Sequence, residues 1–342
     1  MFKDIKQVMK DSVLYGIGNV AVKLVGFILI PLYTDAEYFS TADYGLMGLL
    51  EVTSQILIAV MGLSLYSGLI RWYWDAEYRD KQKTIFFTTL LFTILTSLCI
   101  GSVLWLNVGE LSALLVQQEG YSLGGELPYI LQLLILTSML GAVVEVPQNL
   151  LRLQRKPIYY SLTNIVRLFV TLVLTIYFTI SLHRGVSGVY EAQLVGIVIQ
   201  LLMVLPLVIK NSSCRVDRRC TIQLLAYSYP LVFPAIVGSL LTVFDRYIIN
   251  HFQGLDDVGF YSLGYKVGNT LKVFIVTSVQ LALTPLLMKK MNDPDNKQFY
   301  SKVLTYFSFG LMFCALGLNL FSREGIVWVT TNPDYIEALY VI

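Results

Sequence analysis

Asp245-Arg246-Tyr-Ile-Ile-Asn-His-Phe-Gln-Gly-Leu-Asp-Asp-Val-Gly-Phe-Tyr-Ser-Leu-Gly-Tyr-Lys266 runs from the end of one apolar segment into the next, and Lys272 follows in the same run. Charges set inside hydrocarbon-like sequence need either a large buried core or a bilayer around them. Composition separates the two. The chain has 342 residues, of which 56% are apolar and only 14% charged, and its mean hydropathy is +0.65. Soluble domains carry about 25% charged residues, so too little polar surface exists here to cover the chain in water. Repeated apolar runs of 20 or more residues need a membrane.

Working outward from that stretch, nine apolar segments are long enough to span: 12–33, 44–69, 84–106, 128–151, 158–181, 187–209, 223–250, 258–288 and 303–322. Backbone polar groups in lipid must satisfy one another within the segment, so each is expected to be a helix. The start, Met1 to Ser12, is basic and leads into a full-length span without a small-residue cleavage site, which reads as an uncleaved first helix. Phe2 to Lys10 could form a short surface helix there.

Lysine and arginine in the connections set the orientation. Basic residues fill the N-terminus (Lys3, Lys6, Lys10) and the second (Arg71, Arg79, Lys81, Lys83) and fourth connections (Arg152, Arg155, Lys156). They also fill the sixth (Lys210, Arg215, Arg218, Arg219) and the eighth (Lys289, Lys290, Lys297, Lys302). The connections between these hold only Arg184 and Arg323. The alternation is unbroken and predicts a cytoplasmic N-terminus.

The opening stretch also has a relative elsewhere in the chain. Asp43-Tyr44-Gly45-Leu46-Met47-Gly48-Leu49 aligns with Asp257-Val258-Gly259-Phe260-Tyr261-Ser262-Leu263 at an offset of 214. Both copies lie in the outer hairpin that opens a half, and six spans separate them, so the halves keep one orientation as a parallel repeat. The expected division is 1–210, a six-helix half, and 211–342, a half with three helices and the start of a fourth. The segment from Tyr335 to Ile342 is too short to cross, so the chain is expected to be a fragment cut at the start of a tenth helix, and a natural nine-span protein is the alternative.

Soluble-enzyme signatures are missing. No phosphate-binding Gly-x4-Gly-Lys-Ser/Thr loop and no Gly-x-Ser-x-Gly elbow occurs. His183 and His251 lie at outer helix ends without metal-ligand spacing. Cys99 and Cys314 sit in apolar runs and Cys214 and Cys220 flank a basic loop, which is neither a disulfide framework nor a zinc site. The expectation is a non-enzyme without cofactor, metal or nucleic acid.

The chemistry then rests on intramembrane charges, which are costly in lipid and face a bundle interior or wet cavity. Lys23, Arg167 and Lys272 fall near mid-span, and Arg246 and Lys266 in the outer parts of spans 7 and 8. Acidic counterparts are Glu51, Glu145, Glu191 and Asp245. Stripes at helical spacing (Gly16/Asn19/Lys23, Glu51/Gln55, Glu145/Asn149/Arg152 and Asn164/Arg167/Thr171) mark faces that avoid lipid. Two readings follow. One is pairwise neutralisation, for instance Lys23 with Glu51 or Arg167 with Glu145, with Arg246 paired to Asp245 or snorkelling outward. The other is a cavity of excess positive charge for an anionic head group, lined by Lys23, Arg167, Arg246, Lys266 and Lys272. The cavity reading is favoured for the set, since Lys266 and Lys272 share a span without a nearby acid in sequence. Gly264 and Gly268 form a small-x-x-x-small pair suited to close packing.

Asp245-Arg246-Tyr-Ile-Ile, then Val258-Gly259, Tyr261-Ser262 and Gly264-Tyr265-Lys266, resemble the seventh-to-eighth helix region of bacterial polysaccharide repeat-unit (O-antigen and capsule) flippases. That family belongs to the multidrug/oligosaccharidyl-lipid/polysaccharide (MOP) exporter superfamily. Lys23-Leu-Val-Gly-Phe, Pro31-Leu-Tyr-Thr, Asp43-Tyr44-Gly45 and Asn332-Pro333-Asp334-Tyr335 are similar to the same family. The resemblance implies an all-α polytopic membrane protein with two six-helix halves around a cationic cavity. It implies export of an undecaprenyl-diphosphate-linked oligosaccharide across the bacterial inner membrane by alternating access. Lys23, Arg246, Lys266 and Lys272 match the family's cation positions. Glu51, Glu145 and Asp245 are candidates for ion coupling or charge pairing. Implied partners are the lipid-linked oligosaccharide, membrane lipids, a polysaccharide polymerase and a chain-length regulator. A drug/cation antiporter of the same superfamily and a membrane glycan polymerase or ligase are the alternatives.

Overall fold

A computed structural model describes residues 27–115, 125–213, 215–276, 279 and 296–341. Among them every regular element is helical. The principal helices are α1 (Thr41–Gly62), α2 (Leu65–Trp72), α3 (Gln82–Leu106), α4 (Leu127–Leu153) and α5 (Pro157–Ile176). They continue with α6 (Gly185–Asn211), α7 (Arg218–Phe252), α8 (Leu255–Thr270), α9 (Asn296–Leu320) and α10 (Ser322–Val329). Seven helices among the described residues are long and apolar enough to cross a membrane. They correspond to spans 2 to 7 and 9 of the sequence reading. Most of span 1, with Lys23 and the basic start, and about the last third of span 8 lie outside the described residues.

Helix ends follow local chemistry. Ser40 caps α1: its hydroxyl accepts from the Asp43 backbone N–H at 3.1 Å, while the Asp43 carboxylate accepts from the Ser40 N–H at 2.9 Å. Asp217 caps α7, accepting from the Arg219 N–H at 3.0 Å. Gly254 turns the chain from α7 into α8 at φ +102°, a region glycine enters at little cost.

Two expectations are corrected. Segment 44–69 is two helices, because Leu63 and Ser64 are both left-handed, with φ 44° and 51°. Two such residues in a row end the hydrogen-bond ladder, and side chains from other helices meet the backbone around the break. The Thr96 hydroxyl donates to the Met61 carbonyl at 2.8 Å, so that acceptor is satisfied without water. The expected loop 107–127 contains a short helix, Val108–Leu115, whose last carbonyl accepts from Asn250 at 2.8 Å.

The repeat noted in sequence is a contact in space. A Cβ built on Gly45 meets the Leu255 carbonyl at 1.8 Å, and one built on Gly259 meets the Thr41 carbonyl at 2.6 Å. Adding the offset of 214 turns 45 into 259 and 41 into 255, so these are the same contact made twice. A Cβ built on Gly48 would stand 2.4 Å from the hydroxyl of its own counterpart, Ser262. Reciprocal contacts of this kind are what a two-fold relation between α1 and α8 produces. Only glycine allows the backbones this close. Around the contact, Tyr44, Leu46, Leu49, Leu255 and Leu263 form part of a buried apolar cluster that reaches Tyr335. Of the small pair Gly264/Gly268, only Gly264 packs closely, with Ala338 and Val341, while Gly268 faces open space.

Candidate functional site

Two polar regions lie inside this apolar frame. The first follows from the α1–α8 contact. One helical turn past Gly48 and Ser262 stand Val52 and Lys266, so Glu51 and Lys266 come together from opposite sides of the two-fold. Lys266 Nζ is 3.6 Å from Glu51 Oε2 and lies over the Tyr44 ring at 5.3 Å. The sequence reading of Lys266 as a cation without a nearby acid is therefore corrected, while the expected pairing of Glu51 with Lys23 lies outside the described residues. The partner is 215 residues away in sequence and adjacent in space.

Arg246 is likewise engaged rather than snorkelling. Its side chain is buried, with Nε donating to the Ser262 hydroxyl at 3.2 Å and the guanidinium over the Tyr265 ring at 4.9 Å. Asp245 accepts instead from the Arg246 backbone N–H at 2.8 Å and from the Tyr261 hydroxyl. Tyr261 and Tyr265 thus take the places expected for an Asp245–Arg246 pair. Lys272 lies exposed on a π-helical turn, Leu271–Val276, that extends α8. Lys23 lies outside the described residues.

The second region is a cavity of about 250 Å³ between α1, α4, α5 and α6. Gly196 makes it: a Cβ there would stand 2.2 Å from the Thr171 hydroxyl, so α6 lies hard against α5. One turn along α6, Gln200 then reaches Arg167. Arg167 Nη1 donates to Gln200 Oε1 at 3.1 Å, Gln200 Nε2 to Asn164 Oδ1 at 3.0 Å, and Asn164 Nδ2 to the Tyr160 carbonyl at 2.8 Å. Each donor feeds the next acceptor, which fixes both amides and leaves four of the guanidinium's five N–H groups without a partner among the described residues.

Arg152, from the same cavity wall, donates to the Tyr160 hydroxyl at 2.5 Å and to Asn149 at 3.4 Å. Glu145 lines this cavity too, yet no ion pair joins it to Arg167 among the described residues, which corrects the expected pairing. Glu145 also borders a neighbouring cavity of about 490 Å³ between α1, α2, α4 and α7, shaped by Pro234 and Gly238 of α7 and by Ser64 at the helix break.

Among the described residues, Arg167, Arg246, Lys266 and Lys272 are therefore not gathered in one place. Arg167 sits within the first half with Arg152, which the sequence reading put in a stripe but not among the site residues. Lys266 and Arg246 sit at the α1–α8 contact, paired. Gln148, Gln193 and Gln200 were missed; the signal was a run of polar side chains on inward faces of α4 and α6. At the other end of α6, Glu191 accepts from Arg184 at 2.7 Å and Tyr129 at 2.9 Å, closing a separate polar cluster. Outside the spans, Lys81 Nζ is 2.6 Å from Asp217, and its hydrogen bond holds the Asp217 carboxyl below the usual carboxylate range.

Residues 8–291 match the family described as polysaccharide biosynthesis protein. Among curated protein sequences, none matches the chain. Among solved structures the fold is similar to an inward-facing multidrug resistance MATE family transporter of the MOP superfamily. That likeness has a TM-score of 0.67 at 16% identity and covers 96% of this chain and 76% of that one. It is similar to a MATE transporter from Vibrio cholerae, with a TM-score of 0.65 at 16% identity over 97% of this chain and 77% of that one. It is also similar to a MOP superfamily transporter from Pyrococcus furiosus, described as having a binding pocket of reverse polarity. There the TM-score is 0.67 at 15% identity, over 99% of this chain and 77% of that one.

Proposed function

The chain belongs to the polysaccharide biosynthesis protein family, and from that premise we propose that it carries undecaprenyl-diphosphate-linked oligosaccharide across the bacterial inner membrane. The N-terminus lies on the cytoplasmic side and two helical halves alternate access around the α1–α8 contact. One observation carries the reading: the guanidinium of Arg167 lies inside an apolar half on an amide-lined cavity that Arg152, exposed near the end of α4, also lines. Charges buried in a membrane protein are expensive and mark a substrate path. Two cations against the one carboxylate of Glu145 leave the cavity positive, which suits a diphosphate and repels an organic cation. The Pyrococcus furiosus transporter, described as having a binding pocket of reverse polarity that suggests a different function, is a precedent for changed pocket polarity on this fold. Glu51 and Lys266 then hold the two halves together through one stage of the cycle, and Arg246 braces α8.

The alternative is a drug/cation antiporter, favoured by Glu145 at the border of both cavities. Thermal stabilisation of the purified protein separates them, because a ligand at 100 times its Kd adds about 2.7 kcal/mol. Undecaprenyl diphosphate is expected to raise Tm and tetraphenylphosphonium is not. Stabilisation by tetraphenylphosphonium alone would reverse the assignment.

A further inference from the structure

Glu145 stands where the two cavities meet. It lines the cavity of about 250 Å³ together with Arg167, and also the neighbouring one of about 490 Å³ that α7 borders. Among the described residues it is the one carboxylate on either wall. Helix register sets it beside the deeper guanidinium. Gln148 on α4 donates to the Thr163 hydroxyl on α5 at 2.9 Å, and Arg152 to the Tyr160 hydroxyl at 2.5 Å. The two helices run antiparallel, so three residues back from Gln148 is three residues on from Thr163. Glu145 is therefore level with Val166 and Arg167. Even so, its carboxylate takes no ion pair or hydrogen bond among the described residues. Arg167 donates to Gln200 instead, and Arg152 to Tyr160 and Asn149.

The surroundings leave Glu145 as the group that can change charge. The other titratable side chains on the two walls are Arg152 on α4, Tyr160 and Arg167 on α5 and Tyr66 on α2, while α1, α6 and α7 contribute none. Of these three chemistries, only a carboxyl titrates in mildly acid water. Protons also have a way in. Gly62 has no side chain to cover the carboxylate: a Cβ built there would lie 3.9 Å from Glu145 Oε2. Beyond Gly62 the larger cavity carries Gln55, Ser239 and Thr242. The two hydroxyls donate to the Ala235 and Ser239 carbonyls, at 3.0 and 2.8 Å, so their oxygens remain as acceptors for water.

An anion on Arg167 meets this carboxylate at short range. A cavity of about 250 Å³ is about 8 Å across, and salt screens charges over about that distance in open water and less in a partly buried site. A like charge so close disfavours the ionised carboxylate. We infer that Glu145 is a proton site linked to the head group, filled as the diphosphate binds beside Arg167 and emptied as it leaves. The proton passes from water in the larger cavity to a Glu145 carboxylate oxygen, and no other bond changes. Arg152 and Arg167 then stand uncompensated, two positive charges against the two negative charges of a diphosphate diester. The inference rests on the flippase reading and gives the sign of its proton linkage, because a cationic substrate would expel a proton from the same carboxyl.

The test is calorimetric binding of undecaprenyl diphosphate bearing one N-acetylhexosamine to the purified full chain in nanodiscs. Titrations at pH 5.5 and 8, each in two buffers of different ionisation enthalpy, count the protons exchanged. Both phosphates of this lipid are diesterified and lack the second ionisation that a phosphate monoester shows near pH 6, so the lipid contributes no protons of its own. Net proton uptake is expected, with affinity at least about fivefold higher at pH 5.5 than at pH 8. Glu145→Gln, which keeps both histidines, should abolish the uptake and bind at pH 8 as tightly as its parent does at pH 5.5. Glu145→Asp, which keeps a carboxyl, should retain the uptake. Proton release, or binding by the parent without proton exchange, overturns the inference and leaves the flippase reading standing. Uptake that persists in Glu145→Gln, or weaker binding by that variant at pH 8, also overturns it. Failure of the lipid to bind at either pH overturns both.

Discussion

Exchanging Gly45 for alanine tests the contact around which the helices are arranged. The added methyl would sit 1.8 Å from the Leu255 carbonyl oxygen, and ordinary contact begins at 3.4 Å, so α8 must retreat by 1.6 Å. The obstacle is backbone, with no rotamer that can turn aside. A gap of about 0.5–1 Å already forfeits a quarter to a half of the dispersion energy across an interface. Overpacking costs about 1–3 kcal/mol, and because Gly48–Ser262 and Gly259–Thr41 separate along with Gly45, the upper end, about 3 kcal/mol, applies here. At about 2.1 cal/mol/K per residue, a chain of 342 residues shifts by about 1.4 °C per kcal/mol, so Tm should fall by roughly 4 °C. The assay is thermal unfolding of purified protein followed by intrinsic fluorescence. Gly268→Ala is the control: it lies on the same helix with nothing within 4 Å of an added Cβ. Alanine there should hold or raise Tm, since it is better than glycine in a helix by about 0.5–1 kcal/mol. Equal losses in the two variants, or a Gly45→Ala protein as stable as its parent, would refute the packing argument.

Three further outcomes are expected. Ser64→Val should be less stable than Ser64→Gly by about 1–2 kcal/mol, because φ 51° penalises a β-branched residue; chemical unfolding of both measures the difference. A double-mutant cycle of Glu51→Gln and Lys266→Gln should give a coupling of about 1 kcal/mol or less, since the side chains are 57% and 30% exposed; zero coupling removes the pair from the account. The Lys81–Asp217 contact predicts a pH effect. A depressed carboxyl stabilises the fold above the unfolded pKa of about 3.9, and that stability is lost as pH falls through the lower folded value. Stability measured from pH 7 downward should therefore lose this contribution only below about pH 4, and Asp217→Asn should lack it. Raising pH from 7 to 9 should leave the contribution unchanged.

Much of the fold was legible because lipid imposes a length and a composition on every span. Seven expected spans are transmembrane-length helices among the described residues. The break at Leu63–Ser64 was not legible, since neither residue is the glycine or asparagine that usually marks a left-handed position. It is held by groups remote in sequence, such as Thr96. The partner of Lys266 was not found by scanning along its own span, because register between helices is absent from helical periodicity. It was nonetheless contained in the repeat: once Gly48 and Ser262 share an axis, Glu51 and Lys266 are neighbours. Arg167, singled out in the sequence as a mid-span cation, lines the cavity between α1, α4, α5 and α6. Its companions Gln148 and Gln200 were overlooked because uncharged amides barely change the hydropathy of a span.

The most direct test of the central claim is translocation by the purified chain in proteoliposomes. Fluorescent undecaprenyl-diphosphate-linked sugar is placed in the outer leaflet, and its loss from the reach of an impermeant quencher is followed. The account predicts loss faster than in protein-free liposomes, with Arg167→Gln slowing it at least tenfold. That tenfold corresponds to about 1.4 kcal/mol, close to the lower end of the worth of a hydrogen bond to a charged group. A rate equal to that of empty liposomes, or one unaffected when Arg152 and Arg167 are both replaced by glutamine, would contradict it.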